Sequence, residues 1–489
     1  MTNQPFVSIV VPAYNAARYI AESLNALLAE DYPELEIVIV DDGSTDDTAE
    51  IASLYVGKDS RIHLVIQPNG GVCSARNRGI REARGKYILP VDADDILLPG
   101  FVAWAVEQME QHPEVKVVVP RAEFFGARQG EWCLPDYTPQ LLARKNMIPA
   151  TALYRRSEWE RVGGYNEQMQ AREDWEFWIN VLKNGGRVVT SPQLGLRYRI
   201  HSQSKRMTDR RMKHQVVGTL NERHPEFMER ELGGPLHDHR SWSRVLNALY
   251  RLVHPRRTVV CDEAGDDMTY FVRALPVHFL YQHGRVICKR RNELRVLTFQ
   301  DREYVVKQFA VPNLINRLVY GWLRKSKAQR SYEYAQHLLN RGIDTPRPVA
   351  WQTERTLLCM GHSYFVSEKS RCPYTYADIL SRSFPVADER RYLRLIAQMV
   401  ARLHDEGMVH QDLSRGNILF GDGDRVELID LNRIRFHKVS MDEGCRNFAE
   451  RLPATPEQRR TMAHAYAEAR GFDAEECLRL MLQYNREKE

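Results

Sequence analysis

Residues 7–15 read VSIVVPAYN and residues 37–46 read IVIVDDGSTD. Each stretch begins with a short run of β-branched residues that is typical of a buried strand. Between them, residues 20–28 place apolar side chains at helical spacing, which predicts a strand, a helix and a second strand. Apolar strands of this kind are covered by helices on both faces, which favours a parallel or mostly parallel sheet in an α/β fold. Ligands of such sheets bind at the carboxyl ends of the strands.

Acidic residues follow the predicted strands at those ends. The second strand runs into Asp41 and Asp42, and a third apolar segment, residues 87–91, is followed by Asp92 and Asp94. Two aspartates in Asp-x-Asp order can share Mg²⁺ or Mn²⁺, and the cation would neutralise a diphosphate. Taken alone, such a pair is more often a surface turn than a metal site. The ordered set of three strand ends favours the metal site.

In this order the motifs resemble those of glycosyltransferase family 2, the inverting enzymes of GT-A fold, over about the first 210 residues. Residues 12–15 and 40–46 resemble the base- and ribose-binding segments of that family, and residues 69–77 resemble its glycine-containing loop before a helix. Backbone amides at a helix start favour anions. The resemblance implies a nucleotide sugar as donor, bound by Pro12, Tyr14, Asp42, Arg76 and Asp92. Tyr14 would stack near the base, Asp42 would accept a hydrogen bond from the base, and Arg76 would lie near the phosphates or ribose.

Two later segments complete this predicted site. Residues 172–178 open an amphipathic helix whose first-turn acids could simply complement the helix dipole. The resemblance instead implies that Asp174 is the general base that removes a proton from the acceptor hydroxyl, and we prefer this interpretation. His201 would complete the shell of a Mn²⁺ or Mg²⁺ ion held by Asp92 and Asp94, although an isolated histidine is more often not a ligand.

The second half of the chain contains another set of polar residues in a fixed order. Residues 304–309 (YVVKQF) predict a strand with one lysine, Lys307, in an apolar setting, where a lysine would by default extend to the surface. Residues 409–420 read VHQDLSRGNILF and residues 428–432 read LIDLN. A His-x-Asp group, four intervening residues, an Asn and a strand-end Asp form the order of a phosphotransferase site.

The residue types suit that chemistry. Lys307 would bind nucleotide phosphates, Asn417 and Asp430 would hold Mg²⁺, and Asp412 would orient or deprotonate the attacking hydroxyl. Each role needs a charge or an oxygen ligand at a fixed place. The sequence therefore predicts a bilobal, protein-kinase-like α+β domain that uses ATP.

Residues 280–436 resemble the lipopolysaccharide kinase family, kinase-like enzymes that phosphorylate Kdo or heptose residues of the bacterial core. The resemblance lies in the catalytic block and in six further segments: 291–293, 306–307, 311–317, 325–328, 330–333 and 342–346. It implies that Glu333 pairs with Lys307 and that Glu368 belongs to the hinge that receives adenine. No G-x-G-x-x-G precedes Lys307 and Asp-Leu-Asn replaces Asp-Phe-Gly, which weakens the case for a protein substrate.

Residues 313–327 combine apolar side chains at helical spacing with flanking basic residues. We favour a helix that packs between the lobes. A basic interfacial helix in contact with anionic glycolipid is the alternative, and it would add peripheral contact with the inner membrane.

Composition limits the number of domains, the kind of partner and the cellular location. The chain has 489 residues, enough for two domains, and a net charge of +5 that suits anionic partners such as nucleotide sugars. Its eight cysteines are scattered, which predicts neither a disulfide framework nor a zinc knuckle. The sequence shows neither a secretory signal nor the ~20 apolar residues of a membrane span. We expect a cytoplasmic protein that does not bind nucleic acid.

The predicted organisation is a GT-A domain over 1–235, a basic helical connection over 236–264 and a kinase-like domain over 265–489. The predicted function is bifunctional: metal-dependent, inverting glycosyl transfer to a bacterial surface-glycan or glycolipid acceptor, and ATP-dependent phosphorylation of a glycan sugar. Two alternatives stay open. The kinase-like domain could be a non-catalytic glycan- or nucleotide-binding module, or the whole chain could be an interaction scaffold at the membrane.

Overall fold

A computed structural model of the chain describes residues 4–169, 171–201, 212–236, 256–262, 265–311, 325–355, 360–381, 386–421 and 423–486. The chain divides into two compact units, residues 1–240 and 241–489. The predicted basic helix at 313–327 lies almost wholly outside the described residues. No helix in the described part of the chain is long and apolar enough to cross a membrane.

The first unit is built on one nine-stranded sheet with the order β3-β2-β1-β4-β8-β6-β9-β5, with β7 paired to β6. Its strands are β1 Val7–Ala13, β2 Leu35–Asp41, β3 Ile62–Ile66, β4 Tyr87–Pro90, β5 Ile96–Leu97, β6 Val115–Gly126, β7 Gly130–Trp132, β8 Leu153–Arg155 and β9 Arg187–Ile200. Its helices are α1 Ile20–Leu28, α2 Thr48–Val56, α3 Val72–Glu82, α4 Phe101–Gln111, α5 Pro139–Leu142, α6 Arg156–Val162, α7 Glu173–Leu182, α8 Lys213–Arg223 and α9 Pro225–Leu232.

Strands β1 to β4 are mutually parallel, and the sheet becomes mixed where β8 pairs antiparallel with β4. Alternate side chains of β1 enter different cores: Ile9 and Val11 pack on one face of the sheet, and Val10 packs on the other. The predicted strand–helix–strand unit and its double-sided burial are therefore confirmed. This burial fixes the register that lines up the strand ends.

The second unit has two lobes. An antiparallel sheet with the order β10-β14-β15-β13-β12-β11 packs with helix α10, and a helical lobe contains two small sheets, β16-β18-β19 and β17-β20. The strands are β10 Arg256–Cys261, β11 Arg285–Lys289, β12 Glu293–Phe299, β13 Arg302–Phe309, β14 Pro348–Arg355, β15 Met360–Glu368, β16 Tyr374–Thr375, β17 Met408–His410, β18 Ile418–Gly421, β19 Arg425–Leu428 and β20 Ile434–Phe436. The helices are α10 Asp266–Leu280, α11 Lys327–Leu339, α12 Tyr376–Leu380, α13 Val386–Asp405, α14 Met441–Arg451, α15 Pro456–Arg470 and α16 Ala474–Arg486, with a 3₁₀ turn at Leu431–Arg433.

The predicted boundaries of the connection stay a prediction, because most of residues 236–264 lie outside the described part. One difference is visible at its end. Strand β10, which falls within the predicted helical connection, pairs antiparallel with β14 from Arg256 to Cys261. The sheet of the second unit therefore starts before residue 265, because the run Thr258-Val259-Val260 has strand-forming side chains that the basic flanks obscured.

Helix α3 lies close against the first two strands, and this contact tests the fold. A Cβ atom at Gly79 would lie 2.5 Å from Val10 Cγ1 and 3.0 Å from Val40 Cγ2. We expect Gly79→Val to lower the free energy of unfolding by about 1–3 kcal/mol, measured by denaturant titration. Gly57→Val is the control, because no neighbouring atom lies nearer than 3.8 Å to its Cβ position. An equal effect of both substitutions would contradict this packing.

Candidate active sites

The parallel strands β1, β2 and β4 end at one edge of the first sheet. Ala13 at the end of β1 pairs with Asp41 at the end of β2, and Val10 pairs with Pro90, just before Asp92. Tyr14 follows β1 and is 53% exposed, while Pro12 lies within β1 opposite Val40. The edge therefore presents an exposed aromatic ring beside a row of aspartates.

Asp42 organises the loop that precedes helix α3. Its Oδ1 accepts hydrogen bonds from Gln67 Nε2 at 2.7 Å and Gly70 N at 2.9 Å, and its Oδ2 accepts one from Gly71 N at 2.8 Å. Gly71 has a φ of +86°, in the left-handed region that favours glycine. The side chain predicted to bind the base thus holds the glycine-containing loop in place. Its neighbour Asp41 has a buried Oδ1 with no hydrogen bond from the described residues.

Asp94 and His201 meet at the next strand end. Asp94 Oδ2 lies 2.6 Å from His201 Nε2, and about a third of each side chain is exposed. Arg199 fixes this pair by donating from Nε to the Asp94 carbonyl at 2.8 Å. The buried Asp95 accepts a hydrogen bond from Arg199 N at 2.9 Å, and its pKa is raised by burial and then by the charges of Asp92 and Asp94.

The predicted metal ligands therefore do not all converge. Asp92 Oδ1 accepts a hydrogen bond from Arg76 Nη2 at 2.8 Å, whereas His201 contacts Asp94. The described residues contain no group of three or more His, Cys, Asp and Glu side chains arranged around a common metal position. Asp94 is a suitable oxygen ligand for Mg²⁺, which is commonly held by one or two carboxylates and completes its shell with phosphate oxygens and water.

Arg76 bridges two acids from distant parts of the chain. Its Nη2 donates to Asp92 Oδ1 and its Nη1 donates to Glu173 Oε1, both at 2.8 Å, and the residue is only 1% exposed. Its guanidinium also lies 5.5 Å from the centre of the Tyr165 ring. Arg76 was predicted to lie near the phosphates or ribose. In the structure both terminal nitrogens bind carboxylates, and the position of Arg76 relative to the donor stays a prediction.

Asp174, the predicted general base, lies beside this bridge at the start of helix α7. Burial, followed by the charge of Glu173, raises the pKa of Asp174 to about 7. Asn146 Nδ2 donates to its Oδ2 at 2.7 Å. Tyr198 lies among this carboxylate and the strand-end acids, since burial and the charges of Asp92, Asp95, Asp94 and Asp174 all raise the pKa of Tyr198. Because Arg76 joins Asp92 to Glu173, the neighbour of Asp174, the start of helix α7 lies beside the end of β4.

The second unit brings Lys307 of β13 to the acid that follows β19. Lys307 Nζ lies 2.7 Å from Asp430 Oδ1, and Asn432 Nδ2 donates to the same oxygen. Asp430 has a φ of +60°, a left-handed conformation that is uncommon for a residue other than glycine. The surrounding contacts hold this carboxylate against the lysine in a conformation that its own backbone disfavours.

Asp412 and Asn417 are joined to that strand end by the loop between β17 and β18. Asn417 Nδ2 donates to the Asp412 carbonyl at 2.8 Å, and Ile429 N donates to the Asn417 carbonyl at 2.9 Å. The Asp412 amide donates to His410 Nδ1 at 3.2 Å. The Asn417 side-chain oxygen accepts no hydrogen bond within the described ranges, so it is available to a cation beside Asp430.

The pairing predicted between Glu333 and Lys307 is wrong. Glu333 Oε2 lies 2.8 Å from Lys325 Nζ, and Gln329 Nε2 donates to Glu333 Oε1 at 3.0 Å. Lys307 is instead paired with Asp430, and Lys325, which precedes the helix of Glu333, is the nearer cation for that acid. Glu368 ends β15, where its amide donates to the Arg347 carbonyl at 2.9 Å, and its hinge role stays a prediction.

Comparison with known proteins identifies a family for each half of the chain. Residues 8–165 match the model of glycosyl transferase family 2, and residues 286–449 match that of the lipopolysaccharide kinase (Kdo/WaaP) family. Over 201 residues the chain is 31% identical to the "Putative teichuronic acid biosynthesis glycosyltransferase TuaG" of Bacillus subtilis, covering 38% of this chain and 75% of the relative.

The chain belongs to glycosyl transferase family 2 and carries a lipopolysaccharide kinase (Kdo/WaaP) family domain. The resemblances to both families, and the GT-A and kinase-like folds, are therefore confirmed. We refer below to the glycosyltransferase domain and the kinase domain.

Other similarities have lower identity or cover smaller parts of the relatives. Over 108 residues the glycosyltransferase domain is 44% identical to the "Uncharacterized glycosyltransferase EpsJ" of B. subtilis, covering 22% of this chain and 31% of EpsJ. This chain spans about a third or less of EpsJ and of the Pasteurella multocida chondroitin synthase, 31% and 19% respectively. A solved structure of WaaP in complex with acyl carrier protein aligns with 47% of this chain and 97% of that chain at 18% identity and a TM-score of 0.35, too low to support an argument.

Sequence patterns missed the residues that support the glycosyltransferase site. Glu173 was interpreted only as a helix-dipole acid, and neither Asn146 nor Tyr198 was singled out. A buried pairing between residues 97 positions apart, as for Arg76 and Glu173, leaves no periodic signal. The available clue is that Arg76 directly follows the small residues Cys73, Ser74 and Ala75 near the start of helix α3.

The buried contacts of Arg76 predict that its replacement lowers the free energy of unfolding much more than replacement of Arg78, which lies in the same helix. Arg76→Met leaves two acids without their cation, so we expect a loss of about 3–5 kcal/mol in the free energy of unfolding, measured by denaturant titration. Arg78→Met is the matched control, because its pair with Glu82 is exposed and should contribute less than about 1 kcal/mol. Similar losses in both variants would contradict the role assigned to Arg76.

Proposed function

We propose that the glycosyltransferase domain transfers a sugar, with inversion, from a nucleotide sugar to a hydroxyl group of a bacterial surface glycan or glycolipid, and that the kinase domain phosphorylates a sugar of that glycan with ATP. The observation that carries the first activity is the position of Asp174. This carboxylate follows Glu173, which Arg76 joins to the strand-end acid Asp92, and its pKa is raised to about 7. A general base is most effective when its pKa lies near the working pH.

In this proposal Asp174 removes the proton from the acceptor hydroxyl as that oxygen attacks the anomeric carbon. Asn146 Nδ2 donates to Asp174 Oδ2 at 2.7 Å and Trp175 N donates to Asp174 Oδ1 at 2.8 Å, so hydrogen bonds to both oxygens orient the carboxylate. Arg76 pairs with Asp92 and with Glu173, the residue that precedes the base. Because it neutralises both neighbouring acids, Arg76 keeps the pKa of Asp174 from rising further.

The nucleotide part of the donor would bind at the ends of strands β1 and β2. Tyr14 offers an exposed ring on which a base can stack, and Asp41 Oδ1 is a buried acceptor without a donor in the described chain. An unsatisfied buried acceptor is costly, and a donor group of the nucleoside would remove that cost. Asp94 and His201 would hold Mn²⁺ or Mg²⁺, which when bound stabilises the departing diphosphate.

The base assignment predicts a defined pH dependence. The carboxylate of Asp174 must be ionised to act, so the rate of sugar transfer should rise about tenfold per pH unit below pH 7 and level off above it. Asp174→Asn should lower the rate about 10²–10⁴-fold and remove this inflection. The measurement is release of nucleotide from a panel of nucleotide sugars with Mn²⁺.

Glu107→Gln is the control for this experiment, because Glu107 is an exposed acid on helix α4. It should keep both the rate and the pH profile. An unchanged inflection near pH 7 in Asp174→Asn would show that another group is the base.

For the kinase domain, the ion pair of Lys307 and Asp430 and the loop that carries Asp412 and Asn417 support phosphoryl transfer. Lys307 would bind ATP phosphates, and Asp430 and Asn417 would hold Mg²⁺, which when bound neutralises charge on the transferred group. Asp412 would orient or deprotonate the sugar hydroxyl. ATP and nucleotide sugars are both cytoplasmic metabolites, so we place both reactions on that side of the membrane.

One observation favours the alternative of a non-catalytic module. Active protein kinases pair the strand lysine with a helix glutamate, whereas Glu333 here is paired with Lys325. We favour catalysis, because the order His410, Asp412, Asn417 and Asp430 is complete and its members are connected.

Asp412→Asn separates these alternatives. If the domain is catalytic, transfer of labelled phosphate from ATP to deacylated bacterial lipopolysaccharide should fall at least about 10²-fold, while binding of a fluorescent ATP analogue is retained. Glu406→Gln, an exposed change in the same lobe, should leave transfer intact. ATP binding without any transfer by the unmodified protein would support the binding module instead.

A further inference from the structure

Three aromatic rings lie together on the sheet of the glycosyltransferase domain, and we call Phe124, Trp132 and Tyr198 the aromatic cluster. Phe124 lies opposite Tyr198 on the neighbouring strands β6 and β9, and the pairing of β7 with β6 brings Trp132 beside them. The centres of the Trp132 and Tyr198 rings are 4.8 Å apart, and the Trp132 ring stacks on Phe124 at 5.3 Å with 24° between the planes. The three side chains therefore project from one face of the sheet.

Tyr198 joins the aromatic cluster to the strand-end acids. The next residue of β9, Arg199, donates from its amide to Asp95 Oδ1 at 2.9 Å and from Nε to the Asp94 carbonyl at 2.8 Å. Strand β9 also pairs with β5, the short strand that follows these acids. Burial, and then the charges of Asp92 and its neighbours, raise the pKa of Tyr198. The aromatic cluster therefore borders the acids assigned to the diphosphate of the donor.

The segment that follows Trp132 leads to the proposed base. It enters helix α5, where the Leu142 carbonyl accepts a hydrogen bond from Trp175 Nε1 at 2.7 Å. Just after this helix, Asn146 Nδ2 donates to Asp174 Oδ2 at 2.7 Å. Trp132 is thus linked to the strand-end acids through the aromatic cluster and to the proposed base through its own segment of chain.

The Trp132 ring is held by its neighbours but is not covered by them. Phe124, on which it stacks, is only 7% exposed, whereas Trp132 is partly exposed on the short strand β7. Its Nε1 donates no hydrogen bond to a described residue. A ring with a fixed orientation, an open surface and an unused N–H donor suits a ligand that is apolar on one face and polar at its edge.

A sugar in its pyranose form has this character, because C–H groups form its apolar faces and hydroxyl groups surround the ring. We propose that Trp132 stacks against a pyranose ring of the acceptor glycan, with the attacking hydroxyl group toward Asp174. This inference rests on the proposed glycosyltransferase function and adds a residue that would recognise the acceptor. The sugar of the donor is the competing source of the same chemistry. The acceptor is favoured, because the segment of Trp132 continues to the residue that binds the base.

Fluorine NMR of the full-length chain labelled with 5-fluorotryptophan tests this contact without turnover. Trp132→Phe identifies the resonance of Trp132. Trp104→Phe identifies that of Trp104, a partly exposed tryptophan on helix α4 that serves as the control. We expect deacylated bacterial lipopolysaccharide to shift the Trp132 resonance to a saturating value and to leave the Trp104 resonance in place. A shift of neither resonance, or an equal shift of both, would overturn the proposal.

A second titration separates the two sources of the sugar ring. A panel of nucleotide sugars with Mn²⁺, added without the saccharide, should leave the Trp132 resonance in place. If a nucleotide sugar shifts this resonance and the saccharide does not, the ring belongs to the donor and the proposal is wrong.

The transfer reaction provides a kinetic test. Trp132→Ala should raise the KM for the acceptor about tenfold, the loss expected for one stacked ring, and change the KM for the nucleotide sugar less than about twofold. Trp132→Phe keeps a ring and should recover most of the affinity for the acceptor. Trp104→Ala, which removes a partly exposed indole elsewhere in the domain, should change neither KM.

Equal increases of both KM values in Trp132→Ala would indicate a structural role and overturn the proposal. Absence of sugar transfer by the unmodified protein is a different result. It would count against the proposed function, while the fluorine NMR titrations would still decide whether a saccharide contacts Trp132.

Discussion

The buried guanidinium of Arg76 is the constraint on which the glycosyltransferase site depends. Carboxylates from two parts of the chain, after strand β4 and at the start of helix α7, come together in a partly buried crevice. Like charges at such distances raise each other's pKa and oppose folding unless a cation lies between them. Arg76 supplies that cation with one nitrogen to Asp92 and another to Glu173. The crevice can then contain a further carboxylate, Asp174, that titrates near neutral pH.

In the kinase domain, by contrast, basic side chains lie close to a single strand-end acid. Asp430 is held by Lys307 and Asn432, and burial and the charges of Arg291, Arg433 and Arg330 lower the pKa of Lys327. At the first site the strand-end carboxylates suit a cation that binds a diphosphate. At the second site Lys307 suits the phosphates of ATP. The two sites therefore differ in charge in the way that their proposed substrates require.

Much of the fold could be predicted from local patterns. The β-branched runs at 7–11 and 37–41 and the helical spacing between them are local properties, and the structure confirms the parallel strands. The proximity of Asp94 to His201 was expected from family resemblance rather than from spacing. Pairings that depend on burial were not predicted, as for Arg76, because no local pattern encodes them. The Glu333 prediction failed because a motif records residue types along the chain and not which of two nearby lysines an acid will contact.

The central claim is that the crevice beside Arg76 holds Asp174 as a carboxyl group with a pKa near neutrality. Carbon NMR of the chain labelled at aspartate carboxyl carbons measures this directly, with Asp174→Asn identifying the resonance. The account predicts a titration midpoint at about pH 7. A midpoint near 4, the ordinary value for an exposed aspartate, would contradict it.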